Sequence, residues 1–217
     1  MDLNLPTIST CAIVIAGALI ASPVLVKGFQ RRGTGIKYER NFVIQRAPQL
    51  VVIVNVILIV LAFLCYIGLF PNGLGGLDQI LILGEQQSMF APFVSWLGIL
   101  ILLSGMVFMI GGWYCLGEYF STDAEILDGQ GVRSTGIFAY VMHPIYSGII
   151  QCLIGASLAA TSLFCAAFTL LIVAPLWLRR AKYEEDILID HLGPDYKTYG
   201  EKMKWRRLVP TIFPFGV

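Results

Sequence analysis

Apolar residues dominate five stretches of the chain, at 8–26, 50–70, 93–114, 144–160 and 163–178, and no Asp, Glu, Lys, Arg or His falls inside them. Each stretch approaches the roughly 20 residues an α-helix needs to cross the hydrocarbon core. The pattern predicts an all-α integral membrane protein with five transmembrane helices. Only Thr161 and Ser162 separate the last two stretches, so these form a tight helical hairpin of slightly short, little-tilted helices. Pro175 is expected to kink the fifth helix and free a carbonyl near its exit.

The helical pattern runs on past the fifth stretch as an extension from Arg179, stopped by Gly193 and Pro194. Beyond it, Tyr196, Tyr199 and Trp205 alternate with basic residues, which predicts a short helical segment lying at the membrane interface, placed like a lid at the cytoplasmic face. The chain is read as one membrane-embedded domain over 1–217, with three helices in 1–114 and a second half over 115–217.

Charge sets the orientation. Lys27, Arg31, Arg32, Lys37, Arg40 and Arg46 lie between the first two stretches, Arg133 follows the third, and the remaining basic residues follow the fifth. With the N-terminus outside and five crossings, all 15 Lys and Arg share one side, which the positive-inside rule makes cytoplasmic. The membrane is then a bacterial inner membrane or the endoplasmic reticulum. The basic first loop reads as a contact for lipid headgroups. The Gly-rich loop at 71–92 carries only Asp78 and Glu85 as charges and reads as an outer linker. The N-terminus has no basic n-region, so no cleaved signal peptide is expected.

Composition agrees with lipid as the solvent: 57% of residues are hydrophobic and 13% charged, against about a quarter charged in soluble domains. Cys11, Cys65, Cys115, Cys152 and Cys165 lie in or beside apolar runs without paired spacing, so they read as small buried hydrophobes. Neither histidine has a partner at ligand spacing, and no metal is expected. Spans without ionisable residues argue against an ion-coupled transporter, and a membrane tether argues against nucleic acid as partner.

Candidate chemistry gathers where an aqueous segment turns into the fourth span. His143 precedes Pro144, which suits the first position of a helix, and Tyr146 projects from the same side of that turn. These residues fit either a capped helix start with an interfacial tyrosine or one wall of a site. Arg180 and Glu184 share a face of the extension, as an interfacial ion pair with snorkelling stems or as part of a site. His191 reads as a solvated or capping histidine.

In order, Leu116-Gly117 with Ser121, Gly136-x-Phe138, His143-Pro144-Ile145-Tyr146-x-Gly148, Arg180-x3-Glu184-Glu185, Leu192-Gly193-x2-Tyr196-x2-Tyr199 and Pro210 resemble the isoprenylcysteine carboxyl methyltransferase family, which includes phospholipid methyltransferases. The resemblance runs from Trp113 to Pro214. It implies methyl transfer from S-adenosylmethionine at a cytoplasmic-side pocket in the second half of the chain. The acceptor it implies is a lipophilic small molecule or lipidated substrate arriving from the bilayer. On the matching positions, Val132, Arg133, Phe138, His143, Pro144, Ile145 and Tyr146 would line the cofactor pocket. Glu184 would bind the cofactor's polar part, and Arg180 would face the acceptor as the catalytic residue. The Arg180 position favours a carboxylate acceptor and O-methylation; N-methylation of a phospholipid is the alternative. The reading from another class is a non-catalytic membrane accessory protein that retains the fold. The sequence departs from the family pattern at Met142, at Gln130-Gly-Val-Arg133 and at Phe138, where the family often has Arg, His-x-Leu-Val and Tyr.

Overall fold

The computed structural model describes residues 4–38, 41–70, 75–81 and 90–209. In chain order these form α1 (Asn4–Gln30), a two-residue strand β1 (Lys37–Tyr38), the single turn α2 (Phe42–Gln45), α3 (Ala47–Tyr66), the short α4 (Leu77–Leu81) and α5 (Ala91–Leu116). The second half holds β2 (Glu125–Ile126), α6 (Pro144–Ala159), α7 (Leu163–Phe168), a π-helical turn (Thr169–Val173), α8 (Ala174–Leu192) and α9 (Pro194–Lys202). Most of the outer loop, at 71–74 and 82–89, and Pro210 of the family pattern lie outside the described residues.

Among the described residues four helices are long and apolar enough to cross a membrane: Leu5–Gln30, Ala47–Tyr66, Ala91–Tyr119 and Leu163–Leu192. The last joins α7, the π turn and α8 into one rod. Their outward faces carry large apolar side chains, among them Leu19, Val107 and Leu171 at 70%, 66% and 72% exposure, which only lipid would cover. The expected fourth span is α6, whose 16 residues rise about 24 Å against a hydrocarbon core of about 30 Å. By length and composition, four of the five expected spans are long enough to cross, and α6 is a shorter apolar helix between the last two.

That short helix is held by backbone contact with α5. Gly98, Gly105 and Gly112 recur every seventh residue on α5, and Gly148 and Gly155 do so on α6. A Cβ added at Gly148 would lie 2.5 Å from Met109 N, one at Gly155 2.4 Å from Leu102 N, and one at Gly105 2.7 Å from Cys152 N. Small residues at this spacing let the two backbones touch, which is how helices associate where water supplies no hydrophobic drive. Ser104 Oγ donates to Gln151 Oε1 at 2.8 Å across the same seam.

Pro175 cannot donate to the carbonyl four residues before it. The helix answers with the π turn at Thr169–Val173, whose wider register absorbs the lost bond. Asn55 Nδ2 on α3 donates to Thr169 Oγ at 2.6 Å, and the Thr169 hydroxyl donates to Cys165 O at 2.9 Å, which pins this turn against α3. All five cysteines are free; Cys165 is buried as expected, but Cys11 is exposed on the lipid-facing side of α1.

Three cations of the basic first loop have protein partners. Arg31 Nη1 donates to Gly117 O at 2.9 Å, while Arg32 and Arg46 both pair with Asp123, at 3.3 and 2.9 Å. These cations hold the segment after α5. Gln45 completes the clamp: its amide nitrogen donates to Ala124 O and its amide oxygen accepts from Ala124 N, both at 2.9 Å. Beside it, β1 and β2 pair antiparallel, Lys37 opposite Ile126 and Tyr38 opposite Glu125. Glu125 accepts from Gly33 N at 3.0 Å and Gly35 N at 2.8 Å, and a Cβ at Gly35 would sit 2.7 Å from Glu125 Oε2.

Candidate functional site

A cavity of about 390 Å³ opens where the ends of α1, α3, α5, α6 and α8 converge. Leu25, Phe29, Val52, Ile53 and Ile149 give it an apolar lining; Thr122, Asp123, Gln130, His143, Arg180 and Glu184 give it a polar one. The size suits a small-molecule site, and a few polar groups set in an apolar wall are what such sites use to fix orientation.

Pro144 starts α6 as predicted, but His143 makes no side-chain cap there. The helix start is closed by the chain's own tail instead: Met142 N donates to Arg206 O at 2.8 Å, His143 N to Arg207 O at 3.1 Å, and Val209 N to Ser147 Oγ at 3.0 Å. The imidazole is thereby free for the α8 extension. His143 Nε2 lies 2.8 Å from Glu185 Oε1, and Nδ1 lies 3.9 Å from Glu184 Oε2. Glu185 also accepts from Arg207 Nε at 2.8 Å and from Arg207 Nη2. His143, Glu185 and Arg207 are all buried, and each ionic partner supplies what the other lost on leaving water.

Arg180 is buried at 3% exposure, so the snorkelling alternative does not hold. Its Nε donates to Tyr146 Oη at 3.1 Å, Nη1 to Gln45 O at 3.4 Å and Nη2 to Thr122 O at 2.8 Å. A guanidinium has five N–H donors, so one remains on each terminal nitrogen. Tyr146 in turn donates to Glu184 Oε1, which lies 3.7 Å from Arg180 Nε. The Arg180 Cζ sits 5.3 Å from the Trp177 ring centroid and 5.9 Å from that of Tyr146. The Tyr146 ring stacks with His143, centroids 5.3 Å apart and planes 3° apart.

The structure brings Phe138, His143, Pro144, Ile145, Tyr146, Arg180 and Glu184 to this one cavity. It does not bring Val132 or Arg133 to its lining. Val132 borders a separate cavity of about 580 Å³ with Asp195, Tyr199 and Lys202. Arg133 places its guanidinium 5.3 Å over the ring of Tyr119, which does line the first cavity. Helix α9 packs Tyr196, Tyr199 and Met203 against Met142 near Val132, and is not a lid over the first cavity. Burial pushes the Tyr196 and Tyr199 phenols up, Tyr196 further because Glu185 and Glu184 are near; Tyr199 is left as a donor to Phe138 O at 2.7 Å. His191 is exposed.

Sequence reading missed Gln45, Thr122, Trp177, Glu185 and Arg207 as parts of the site. Glu185 and Trp177 carried a signal: with Ala174 and Ala181 they form one buried stripe of α8, beside the Arg180–Glu184 row. Gln45 and Thr122 act through contacts distant in sequence, and no local pattern marks them.

Residues 96–190, which hold most of α5, all of α6 and most of α8, match the model of the isoprenylcysteine carboxyl methyltransferase family. A curated relative, the protein-S-isoprenylcysteine O-methyltransferase of Schizosaccharomyces pombe, is 25% identical over 147 residues, covering 59% of this chain and 61% of the relative. The chain thus spans about three fifths of that relative's length.

Proposed function

We propose, from the match of residues 96–190 to the model of the isoprenylcysteine carboxyl methyltransferase family, that this chain is an integral membrane methyltransferase of that family. It uses S-adenosylmethionine to methylate the carboxylate of a lipophilic acceptor. The observation that carries the acceptor class is Arg180: a buried, fixed cation with one N–H left on each terminal nitrogen, at a cavity with an apolar wall. A planar guanidinium with two spare donors orients a carboxylate and offers nothing to an amine.

The donor set fits the cofactor. Glu184, with its side chain 22% exposed, supplies a carboxylate for hydroxyl or ammonium donors, and Tyr146 and Trp177 supply aromatic faces for positive charge. When bound, the cofactor supplies an activated methyl group on a cationic sulfonium. His143, Pro144, Ile145 and Phe138 shape its pocket, and Val132 and Arg133 support that wall from behind, Arg133 through Tyr119. Arg180 holds the acceptor carboxylate in line, and a carboxylate needs no general base. Leu25, Phe29, Val52 and Ile53 keep water from the acceptor's apolar part.

In the membrane, α6 acts as a fifth crossing, returned by the turn at 160–162 and accommodated by its backbone seam with α5. Five crossings put the cavity on the cytoplasmic side with all the basic residues, and place the catalytic half at 115–217. Calorimetry in detergent tests the cofactor reading. Wild type binds S-adenosylmethionine and Glu184→Gln binds at least tenfold more weakly; no binding by folded wild type, or equal binding by both, overturns it.

A further inference from the structure

The tail that closes the α6 helix start presents an outer surface that the site does not use. The segment after α9 runs through Lys204, Trp205 and Arg206 and is tied down at both ends, by Met203 in an apolar cluster and by Arg207 on Glu185. Its depth is fixed by hydrogen bonds from Met142 N and His143 N, the two residues immediately before Pro144, where the apolar helix begins. The strap therefore lies at the level where hydrocarbon gives way to headgroups.

At that level two large aromatic side chains are exposed, Tyr140 at 70% and Trp205 at 63%. Lys202, Lys204 and Arg206 are exposed beside them, and among the described residues their side chains form no ion pair. Along 201–206 the three cations Lys202, Lys204 and Arg206 accompany one carboxylate, Glu201. Tyrosine and tryptophan settle at the interface because one end is apolar and the other polar, and surface cations there each gain about 1 kcal/mol from anionic lipid.

We propose that Tyr140, Trp205 and the cations Lys204 and Arg206 form a docking surface for anionic phospholipid headgroups beside the start of α6. Zwitterionic headgroups offer no net charge to this surface and engage only the two aromatics. The proposal stands on the strap's depth and charge, and not on which acceptor is methylated.

The test uses the full chain in phosphatidylcholine nanodiscs doped with a fixed minor fraction of brominated lipid, either phosphatidylglycerol or phosphatidylcholine. Tryptophan fluorescence quenching is measured for wild type and Trp205→Phe, and the difference isolates Trp205 among the four tryptophans. The proposal expects the Trp205 component to be quenched at least twofold more by the brominated phosphatidylglycerol. In Lys204→Gln/Arg206→Gln that preference disappears while quenching by both lipids persists, which also shows the strap still folded at the interface. Equal quenching by both lipids in wild type, a preference that survives the double substitution, or no quenching of Trp205 by either lipid overturns it.

Discussion

Glu185 Oε1 lies 2.8 Å from His143 Nε2 and 2.8 Å from Arg207 Nε, so one buried carboxylate joins the start of α6, the α8 extension and the tail. Removing one partner leaves a charge that neither water nor protein neutralises. Arg207→Ala is expected to destabilise the protein by about 3–5 kcal/mol, read as thermal unfolding in detergent. A Lys204→Ala control on the exposed side of the strap should unfold with wild type.

The seam between α5 and α6 predicts a steep dependence on single methyl groups. Gly148→Ala and Gly155→Ala each drive a Cβ into backbone that cannot retreat, and each should cost about 1–3 kcal/mol or more. Gly131→Ala meets nothing within 4 Å and should be neutral. Denaturation monitored by helical signal distinguishes the three.

Much of this architecture is legible in the sequence because lipid imposes a simple code. Four of the five apolar stretches are long helices, and the Gly193-Pro194 stop falls where α8 gives way to α9, with Gly193 at φ +61°. The bounds of α6 were legible, but its packing was not, because its contact with α5 comes from glycines seven residues apart, a spacing that hydropathy does not weigh. The site was legible where chemistry-bearing residues share a turn or a helix face, as His143 with Tyr146 and Arg180 with Glu184 do. It was illegible where the chain returns from far away. Arg31, Arg32 and Arg46 look like a lipid-facing basic loop until Asp123 and Gly117 meet them. Arg207 looks like one more interfacial cation until Glu185 is seen opposite.

Gln45 predicts an effect at a distance from its own helix. Its amide satisfies both backbone groups of Ala124, next to the Thr122 carbonyl that holds Arg180. Gln45→Ala leaves those buried groups unpaired, at about 1–3 kcal/mol. Hydrogen exchange over 119–126 should quicken in this variant while exchange in α5 and α6 stays as in wild type.

Tyr146→Phe removes the hydroxyl that accepts from Arg180 and donates to Glu184, while keeping the ring stacked on His143 and tilted against Trp177. With the two ionic side chains no longer tied, turnover should fall on the order of 100-fold with little change in stability. Parallel measurement of kcat and thermal unfolding separates this from a loss of folding.

Tyr199 gives a pH dependence. Its folded phenol titrates above the usual value of about 10, so its contribution is fully present below that pH and is lost as pH rises toward the folded value. Wild type should lose stability above about pH 10 more steeply than Tyr199→Phe, compared by melting across that range.

The central claim is a carboxylate acceptor held by Arg180, and methyl-labelled S-adenosylmethionine tests it most directly. The protein in nanodiscs is given a prenylated cysteine with a free carboxylate, and the lipid-soluble product is treated with alkali, which releases the methyl of an ester but not of an amine. The predicted result is alkali-labile label in wild type, reduced about 100-fold in Arg180→Ala. Alkali-stable label on lipid, or undiminished ester formation by the variant, would contradict it.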